Sequence, residues 1–494
     1  MAQTAPENGR VSLNTKLSFA VGGLAEGSIN WAFSGFNFVI YTVGFGLPGT
    51  LAGMAVFLSL AVDAVSDPLI GYVSDRWRSK WGRRHPFIYL SALPLAACIF
   101  CIYVPPAELL ENSADLVTLF GFTATLEQWG LTAWLFVFAS LLKLFQTCYH
   151  LPHLALGSEL TDDYLERTRI FRYNMLFSFG GGALFSWSFY NVFYPEGPAL
   201  GMDTVAIAAT VAIAGAIIIF LTAHLTRDQI PRLRQPPADQ APFSFGLFLS
   251  ECAVVLRNRN YRMLFFGLLC LSIMIGVRET LNANMVLFYW ELPPTAVGYL
   301  PLFSMVSYFV AVVVVAAANA RLDKGGTARI AVAVCVTAAG LPVILRSLGW
   351  LPENGHASIF WIVALGVFLY YGSLAVLTTT VYSAIGDVAD EHELATGRRQ
   401  EGVFYAVRTF FGKLSNGVGH LFAGIAIDVI GFPPGAVVGE VDAQVIFELG
   451  LFEGVLASLP TLLAVYFYGK YRIDKDRHAE IVREIERRNT TASP

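Results

Sequence analysis

Charged residues are scarce in this sequence. Asp, Glu, Lys and Arg make up 14% of the 494 residues, whereas soluble domains carry about 25%. Hydrophobic residues reach 55%, and Gly (44) and Phe (38) are abundant, as in closely packed membrane helices. This composition excludes an ordinary soluble protein, and a net charge of −4 provides no basis for nucleic-acid binding.

The patterns of several enzyme and metal-site classes are also missing. The six Cys residues form no disulfide framework, and the CxxC spacing of Cys98 and Cys101 lies inside an apolar run, which favours packing. No phosphate-cradling Gly loop and no nucleophile–base set is present. We therefore expect no enzymatic activity, no cofactor and no metal other than, at most, Na⁺. Met1–Lys16 is polar and lacks the apolar core of a removable signal peptide.

Apolar segments long enough to cross a membrane recur along the chain. A helical span needs about 20 residues, and twelve such segments can be drawn, which we number spans 1 to 12. They cover 17–45, 50–74, 86–105, 130–156, 170–194, 203–226, 260–290, 296–318, 328–349, 358–386, 403–431 and 443–469.

The order of these segments predicts the domain organisation. Between spans 6 and 7, residues 227–259 are polar and Pro-rich, which is typical of a linker. We expect an all-α membrane protein with twelve transmembrane helices in two six-helix bundles, 17–226 and 260–469. Polar tails, 1–16 and 470–494, flank the bundles. Proteins built from two such halves place their binding sites near the middle of the membrane, between the halves.

Basic residues are distributed unevenly between the two sides of the predicted membrane domain. All but five of the 33 Lys and Arg residues fall in segments on one side. Four of the five lie inside spans, and only Arg346 falls on the other side, where the loops carry mainly acids. By the positive-inside rule, both termini are expected in the cytoplasm of a cell, with the protein in the inner or plasma membrane.

Two carboxylates lie inside span 2. Asp63 and Asp67 are one helical turn apart on the same face, and each would cost roughly 2.5–3.5 kcal/mol near the middle of a bilayer. Such a pair requires a proton, a metal cation or a basic side chain. Lys413 lies about ten residues into span 11, roughly 15 Å deep at 1.5 Å per residue. We therefore predict that Lys413 meets the two acids and that a coupling cation competes with it.

Other ionisable and polar residues within the spans are candidates for a substrate cavity. Span 4 carries a polar stripe with helical spacing, and spans 1 and 7 carry isolated charges. For each residue, the alternative is a hydrogen bond or ion pair between helices. The candidates are Glu26, Lys143, Gln146, His150, Arg278 and Glu279.

Charged residues also cluster where spans 2, 4 and 10 reach the basic side. Salt bridges at such ends can hold one access state of a transporter closed and break in the other. We expect this gating role, with the acidic end of span 10 facing Arg398 and Arg399. The candidates in the first half are Asp75, Arg76, Arg83, Arg84, Glu159, Asp162, Arg167 and Arg169, and those in the second half are Asp387, Asp390, Arg398 and Arg399.

Several strings of residues resemble a known family. They are DAVSDP (63–68), RSKWGRR (78–84), ELTDD (159–163), ERTR (166–169) and GDVADEH (386–392). The sequence resembles the glycoside–pentoside–hexuronide:cation symporter family of the major facilitator superfamily from Lys16 to roughly Glu484. The resemblance implies the major facilitator fold. It also implies cation coordination by Asp63, Asp67, Thr147 and Ser66, which stands at an Asn position of the family, and coupling through Lys413.

The sugar-binding positions of the family differ here. Gly27 and His150 stand where its galactoside permeases have acids on helices 1 and 4, and Leu154 replaces a Trp. These replacements argue against a galactoside substrate. The string Tyr149-His150-Leu-Pro152 instead resembles the lysolipid branch of the family.

We therefore expect a secondary active transporter that couples Na⁺ or H⁺ to the symport of a sugar, glycoside or uronide-like solute by alternating access. The alternative is a cation-coupled symporter of lysophospholipids or related amphiphiles, and the third hypothesis is a membrane receptor that does not transport. The expected partners are a small-molecule substrate and the lipid bilayer, without nucleic acid, and we expect a monomer.

Overall fold

Long apolar helices cross the molecule twelve times in the described part of the chain. The computed structural model describes residues 11–111, 115–119, 121–233, 245–397 and 401–492. The spans, in order, are Leu13–Trp31 continued by Ala32–Phe36, Asn37–Val39 and Ile40–Gly44; Gly49–Arg76; His85–Tyr103; Leu126–Glu159; Tyr164–Ser188 continued by Phe189–Phe193; Val205–Thr226; Arg259–Asn284 continued by Met285–Tyr289; two spans within Leu300–Ser347; Ala357–Thr396; Glu401–Val429; and Ala443–Gly450 continued by Leu451–Val455, Leu456–Ser458 and Leu459–Gly469.

Length and hydropathy agree with membrane crossing. Among the residues that the structure describes, eight helical stretches are long and apolar enough to cross a membrane by length and composition, and one of them, Pro294–Ser347, contains spans 8 and 9. The shorter helices outside the spans are Ala107–Leu110, Arg227–Arg232, Phe245–Val255, Pro294–Val297 and Lys475–Ala492.

Spans 8 and 9 are separated by a single non-helical residue. Asp323 has φ 56° and ψ 172°, and helical residues flank it on both sides. The predicted spans end at 318 and resume at 328, whereas helical structure extends on both sides to Asp323. Residues 319–327 are polar and Gly-rich like a loop, but the chain reverses at one residue with positive φ, which costs a non-Gly residue conformational energy.

The spans form two six-helix bundles. In the first bundle, span 1 packs on spans 5 and 6, span 4 on spans 2 and 3, and span 3 on span 6. In the second, span 7 packs on spans 11 and 12, and span 10 packs on spans 8 and 9. Between the bundles, span 2 packs on span 11, span 5 on span 8, and span 1 on span 7. The second span of each half therefore packs on the fifth span of the other half, and the first spans of the two halves pack on each other.

The molecule has two chemically different ends. We call the end with the turn between spans 2 and 3, which includes Arg83 and Arg84, the basic end. The opposite end, which we call the acidic end, carries a hairpin of β1 (Leu116–Leu119) and β2 (Phe122–Thr125), paired antiparallel with Val117 opposite Ala124. The Trp129 indole donates to the Val117 carbonyl at 3.1 Å and ties this hairpin to the start of span 4.

Small residues allow spans 1 and 5 to touch along their backbones. Gly181 of span 5 lies against the Leu24 backbone of span 1, and a methyl group at Gly181 would overlap it. Gly27 lies against the Ser178 carbonyl in the same way. Because membrane helices lack a strong hydrophobic drive to associate, such close approach supplies much of their packing energy.

We expect Gly181→Ala to destabilise the first bundle, whereas Gly180→Ala should not. An added methyl group at Gly181 overlaps the Leu24 backbone, whereas no other group lies within 4 Å of a methyl group added at Gly180. Overpacking costs about 1–3 kcal/mol, and both substitutions gain the same helix propensity. The midpoint of thermal unfolding in detergent should fall for Gly181→Ala relative to Gly180→Ala, and equal midpoints would contradict this account of the contact.

Candidate functional site

Four side chains meet near the middle of the interface between the bundles, and we call them the central ion cluster: Asp63, Asp67, Thr147 and Lys413. The Lys413 ammonium lies 2.7 Å from Asp63 Oδ2 and 2.5 Å from Asp67 Oδ2. The Thr147 hydroxyl lies 2.8 Å from Asp67 Oδ1 and 3.2 Å from Asp63 Oδ1. One ammonium from the second bundle thus bridges two carboxylates of the first.

Helix geometry positions this cluster. Asp63 and Asp67 project from the same face of span 2 because they are one turn apart. Lys413 comes from span 11, which approaches span 2 closely at Gly53 and Gly424, where a methyl group would overlap the opposing backbone. Paired carboxylates and a hydroxyl are oxygen ligands suited to a small hard cation, and the same carboxylates could take a proton.

The cluster is buried but remains accessible to water. Asp63 is 5% exposed, while the side chains of Asp67 and Lys413 are 19% and 27% exposed. A cation could therefore reach Asp67 without unfolding of either bundle. Ser66, expected to assist cation binding, uses its hydroxyl to donate to the Asp63 carbonyl of its own helix at 3.1 Å.

Two further groups of predicted cavity residues lie on spans 1 and 4. Glu26 Oε1 lies 3.0 Å from His150 Nδ1, so these residues form a pair. Lys143 donates to the Gln146 side-chain carbonyl at 3.3 Å, and the Gln146 amide donates to Asn30 Oδ1 at 2.7 Å. Sequence reasoning missed Asn30, although its amide lies in the same span as Glu26.

Arg278 and Glu279 are adjacent in span 7 but contact different partners. Arg278 Nη1 lies 3.1 Å from Glu453 Oε1 in span 12, which is the interhelical pair considered as the alternative for this residue. Glu279 Oε2 accepts from Asn416 Nδ2 at 3.3 Å and lies 3.8 Å from His420 Nε2. Glu453 was missed, although an acid in an otherwise apolar span is itself a signal.

At the basic end of the first bundle, one carboxylate receives two arginines. Glu159 Oε1 lies 2.7 Å from Arg83 Nη2 and 3.0 Å from Arg84 Nη2, and Arg84 Nη1 lies 2.7 Å from Asp75 Oδ1. The turn between spans 2 and 3 is thereby attached to the end of span 4.

The other predicted gate residues of the first half lie nearby with different contacts. Arg76 stacks on the Tyr72 ring at 3.5 Å. Arg167 donates to the Thr161 carbonyl at 3.2 Å, and Arg169 lies 3.2 Å from a carboxylate oxygen of Glu166. Asp162 lies exposed in the turn between spans 4 and 5. Arg167 and Arg169 thus contact groups other than Glu159.

The second bundle has a corresponding arrangement around Asp387. Lys324 lies 2.7 Å from Asp387 Oδ2, and the Tyr471 hydroxyl donates to the same oxygen at 3.2 Å. Burial raises the pKa of the Tyr471 phenol, and the Asp387 charge raises it further. His478 Nε2, from the C-terminal helix, lies 3.1 Å from Asp390 Oδ2. Arg398 and Arg399, expected to face these acids, lie outside the described residues.

At the acidic end, a side chain of one bundle caps a helix of the other. Asp428 of span 11 accepts from the backbone N–H of Gly49 and of Thr50, both at 2.7 Å. These N–H groups begin span 2, where an anionic cap is favoured by unpaired donors and by the helix dipole. Asn191 of span 5 also donates to the Thr295 carbonyl beyond span 7 at 3.3 Å. These contacts join the two bundles at the acidic end.

Comparison with known proteins identifies the family. The MFS/sugar transport protein family matches residues 18–475. The chain belongs to this family. An uncharacterized symporter of Synechocystis sp. is 23% identical over 97% of each chain. The sodium-dependent lysophosphatidylcholine symporter 1-A of Danio rerio is 23% identical over 94% of this chain and 86% of its own.

Solved structures agree on the fold of this MFS/sugar transport family member. The nucleoside transporter NupG superposes with a TM-score of 0.63 at 14% identity, covering 93% of this chain and 100% of its own. At this identity the likeness supports the major facilitator fold alone. The chain is thus a multi-pass integral membrane protein of a transporter family, as the sequence predicted.

We expect Asp428→Ala to separate the bundles at the acidic end. The substitution removes both acceptors from the start of span 2, and loss of such a cap costs about 0.5–2 kcal/mol. Spin labels placed near the starts of spans 2 and 12 should show a larger population of long distances. Asp442→Ala is the matched control, because Asp442 caps its own helix through Gln444 N at 2.7 Å. Identical distance distributions in the two variants would disprove this role of Asp428.

Proposed function

We propose that this protein is a cation-coupled secondary transporter that carries a sugar-like solute, such as a glycoside or uronide, together with Na⁺ or H⁺ by alternating access. The observation that carries the proposal is the bridge from Lys413 to both Asp63 and Asp67 across the bundle interface. In this proposal the basic end faces the cytoplasm, the protein acts as a monomer and no cofactor takes part.

Competition for the carboxylates provides a coupling mechanism. A cation bound between Asp63 and Asp67 neutralises the charge that holds Lys413, so the ammonium is released from its bridge. The Lys413 bridge and the Asp428 cap both connect spans 2 and 11. Release of the bridge would therefore weaken the attachment of these two helices. By linkage, a substrate that prefers the cation-bound arrangement must raise cation affinity by the same factor.

A second candidate is symport of a lysophospholipid or a related amphiphile. It is favoured by the string Tyr149-His150-Leu-Pro152 and by similarity to a Danio rerio protein named as a lysophosphatidylcholine symporter. The central ion cluster fits symport of either substrate class, because it concerns the coupling cation and not the solute. Direct comparison of substrates is needed to choose between them.

We expect Asp67→Asn to abolish cation-driven accumulation while the protein stays folded, because the substitution removes one of the two charges that hold the cation. Uptake is measured in proteoliposomes under an inward Na⁺ or H⁺ gradient, with a β-glucoside, a β-glucuronide and a lysophosphatidylcholine as substrates. Asp228→Asn is the control, since its side chain is 85% exposed.

The outcomes separate the hypotheses. Accumulation by Asp67→Asn equal to that of the wild type would refute the proposed cation site. Binding of a substrate by the wild type without any transport would favour a receptor. The compound that accumulates decides between the glycoside class and the lysolipid class.

A further inference from the structure

Within the described ranges, a buried lysine between the bundles, Lys143, forms no direct ion pair with an acid. Lys143 is 8% exposed, and no carboxylate lies within 4 Å of its ammonium among the residues that the structure describes. The neighbouring interior cations are paired: Lys413 with two aspartates and Arg278 with Glu453. Lys143 therefore differs from the other basic residues at this depth.

The contacts of Lys143 hold it in place without neutralising it. Its ammonium donates to Gln146 Oε1 at 3.3 Å and lies 4.4 Å from the centre of the Phe33 ring. Gln146 is itself oriented by Asn30, whose side-chain oxygen accepts from the amide at 2.7 Å. An ammonium has three N–H donors, so this arrangement leaves donors for another acceptor.

The ammonium faces the space between the bundles. The charged groups close enough to interact electrostatically with it are Asp63, Asp67, Lys413 and Glu279. Lys413 and Glu279 belong to the second bundle. Glu279 is engaged with Asn416 and His420. Lys143 also lies one turn from Thr147 of the central ion cluster, on the same face of span 4. An acceptor bound to Lys143 would therefore lie beside the proposed cation site.

Physical chemistry indicates the charge of that acceptor. A charge buried at membrane depth is costly unless an opposite charge accompanies it. Charge-assisted hydrogen bonds to carboxylate or phosphate oxygens are the strongest that an ammonium makes. A neutral hydroxyl would supply an acceptor but would bring no negative charge into direct contact with the ammonium.

We propose that Lys143 binds an anionic group of the transported solute, either a carboxylate or a phosphate oxygen, so that the substrate is acidic or carries a phosphate. This inference rests on the proposed symport function. A cation at Asp63 and Asp67 adds positive charge next to Lys143 and thereby strengthens anion binding. Cation and anion then enter the low-dielectric interior together with compensating charges.

The test compares matched substrates that differ in one anionic group. Affinities are measured in Na⁺ for a β-glucuronide against the β-glucoside, and for a lysophosphatidylcholine against a monoacylglycerol. We expect the wild type to prefer the member with the anionic group in one pair by about tenfold or more, the effect of one charged hydrogen bond. The pair that shows the preference distinguishes a carboxylate from a phosphate.

Three variants assign the preference to Lys143. Lys143→Gln should bind both members of that pair within about twofold, because the charged hydrogen bond is gone, whereas Lys143→Arg should keep the preference. Lys470→Gln removes a lysine that lies beyond span 12 near the Tyr466 ring, and it should behave as the wild type. Should Lys143→Gln fail to fold, the wild type and Lys143→Arg still test the proposal, because both should prefer the anionic member of the pair.

Equal binding of the neutral and anionic members by the wild type would overturn the proposal, as would an unchanged preference in Lys143→Gln. These results are distinguishable from failure of the proposed function. Cation-driven uptake that does not depend on the charge of the substrate contradicts only the role of Lys143. Uptake that does not depend on the cation gradient contradicts symport itself.

Discussion

Two carboxylates held at membrane depth by one ammonium form the interaction on which the rest of the structure depends. Burying Asp63 and Asp67 together is unfavourable unless a positive charge lies between them, and Lys413 provides it from the other bundle. The ion pair also crosses the interface that must rearrange in any alternating-access mechanism. Exchange of the ammonium for an inorganic cation, as proposed, would therefore change both the local charge and the attachment of the bundles.

Spans 2 and 11 combine this ion pair with close backbone packing. Glycines at 53 and 424 bring the helices together, and Asp428 attaches the start of span 2 at the acidic end. Packed interfaces change between discrete arrangements more readily than they deform continuously. A change at the central ion cluster can therefore be coupled to the acidic end through two rigid helices, without a longer chain of contacts.

The two bundles use related devices at the basic end with different partners. In the first bundle, Glu159 holds the turn between spans 2 and 3 through Arg83 and Arg84. In the second, Asp387 holds Lys324 at the sharp break between spans 8 and 9, and a residue following span 12, Tyr471, adds a hydrogen bond. Each bundle thus has an acid-to-base attachment at this end, and the side chains that supply it differ between the bundles.

The sequence by itself determined the membrane class, the number and order of the spans, and the depth of Asp63, Asp67 and Lys413, because hydropathy and helical periodicity are local properties of the chain. The depth of Lys413 also predicted its contact with the two aspartates, whereas the other charge pairings were decided only by the tertiary structure. Helix rotation and packing between the bundles set the pairing of Arg278 with Glu453 and the capping of span 2 by Asp428. They also place Lys143 more than 4 Å from every carboxylate in the described part of the chain. Rotation and packing are set by contacts between residues far apart in the chain, which neither spacing nor composition records.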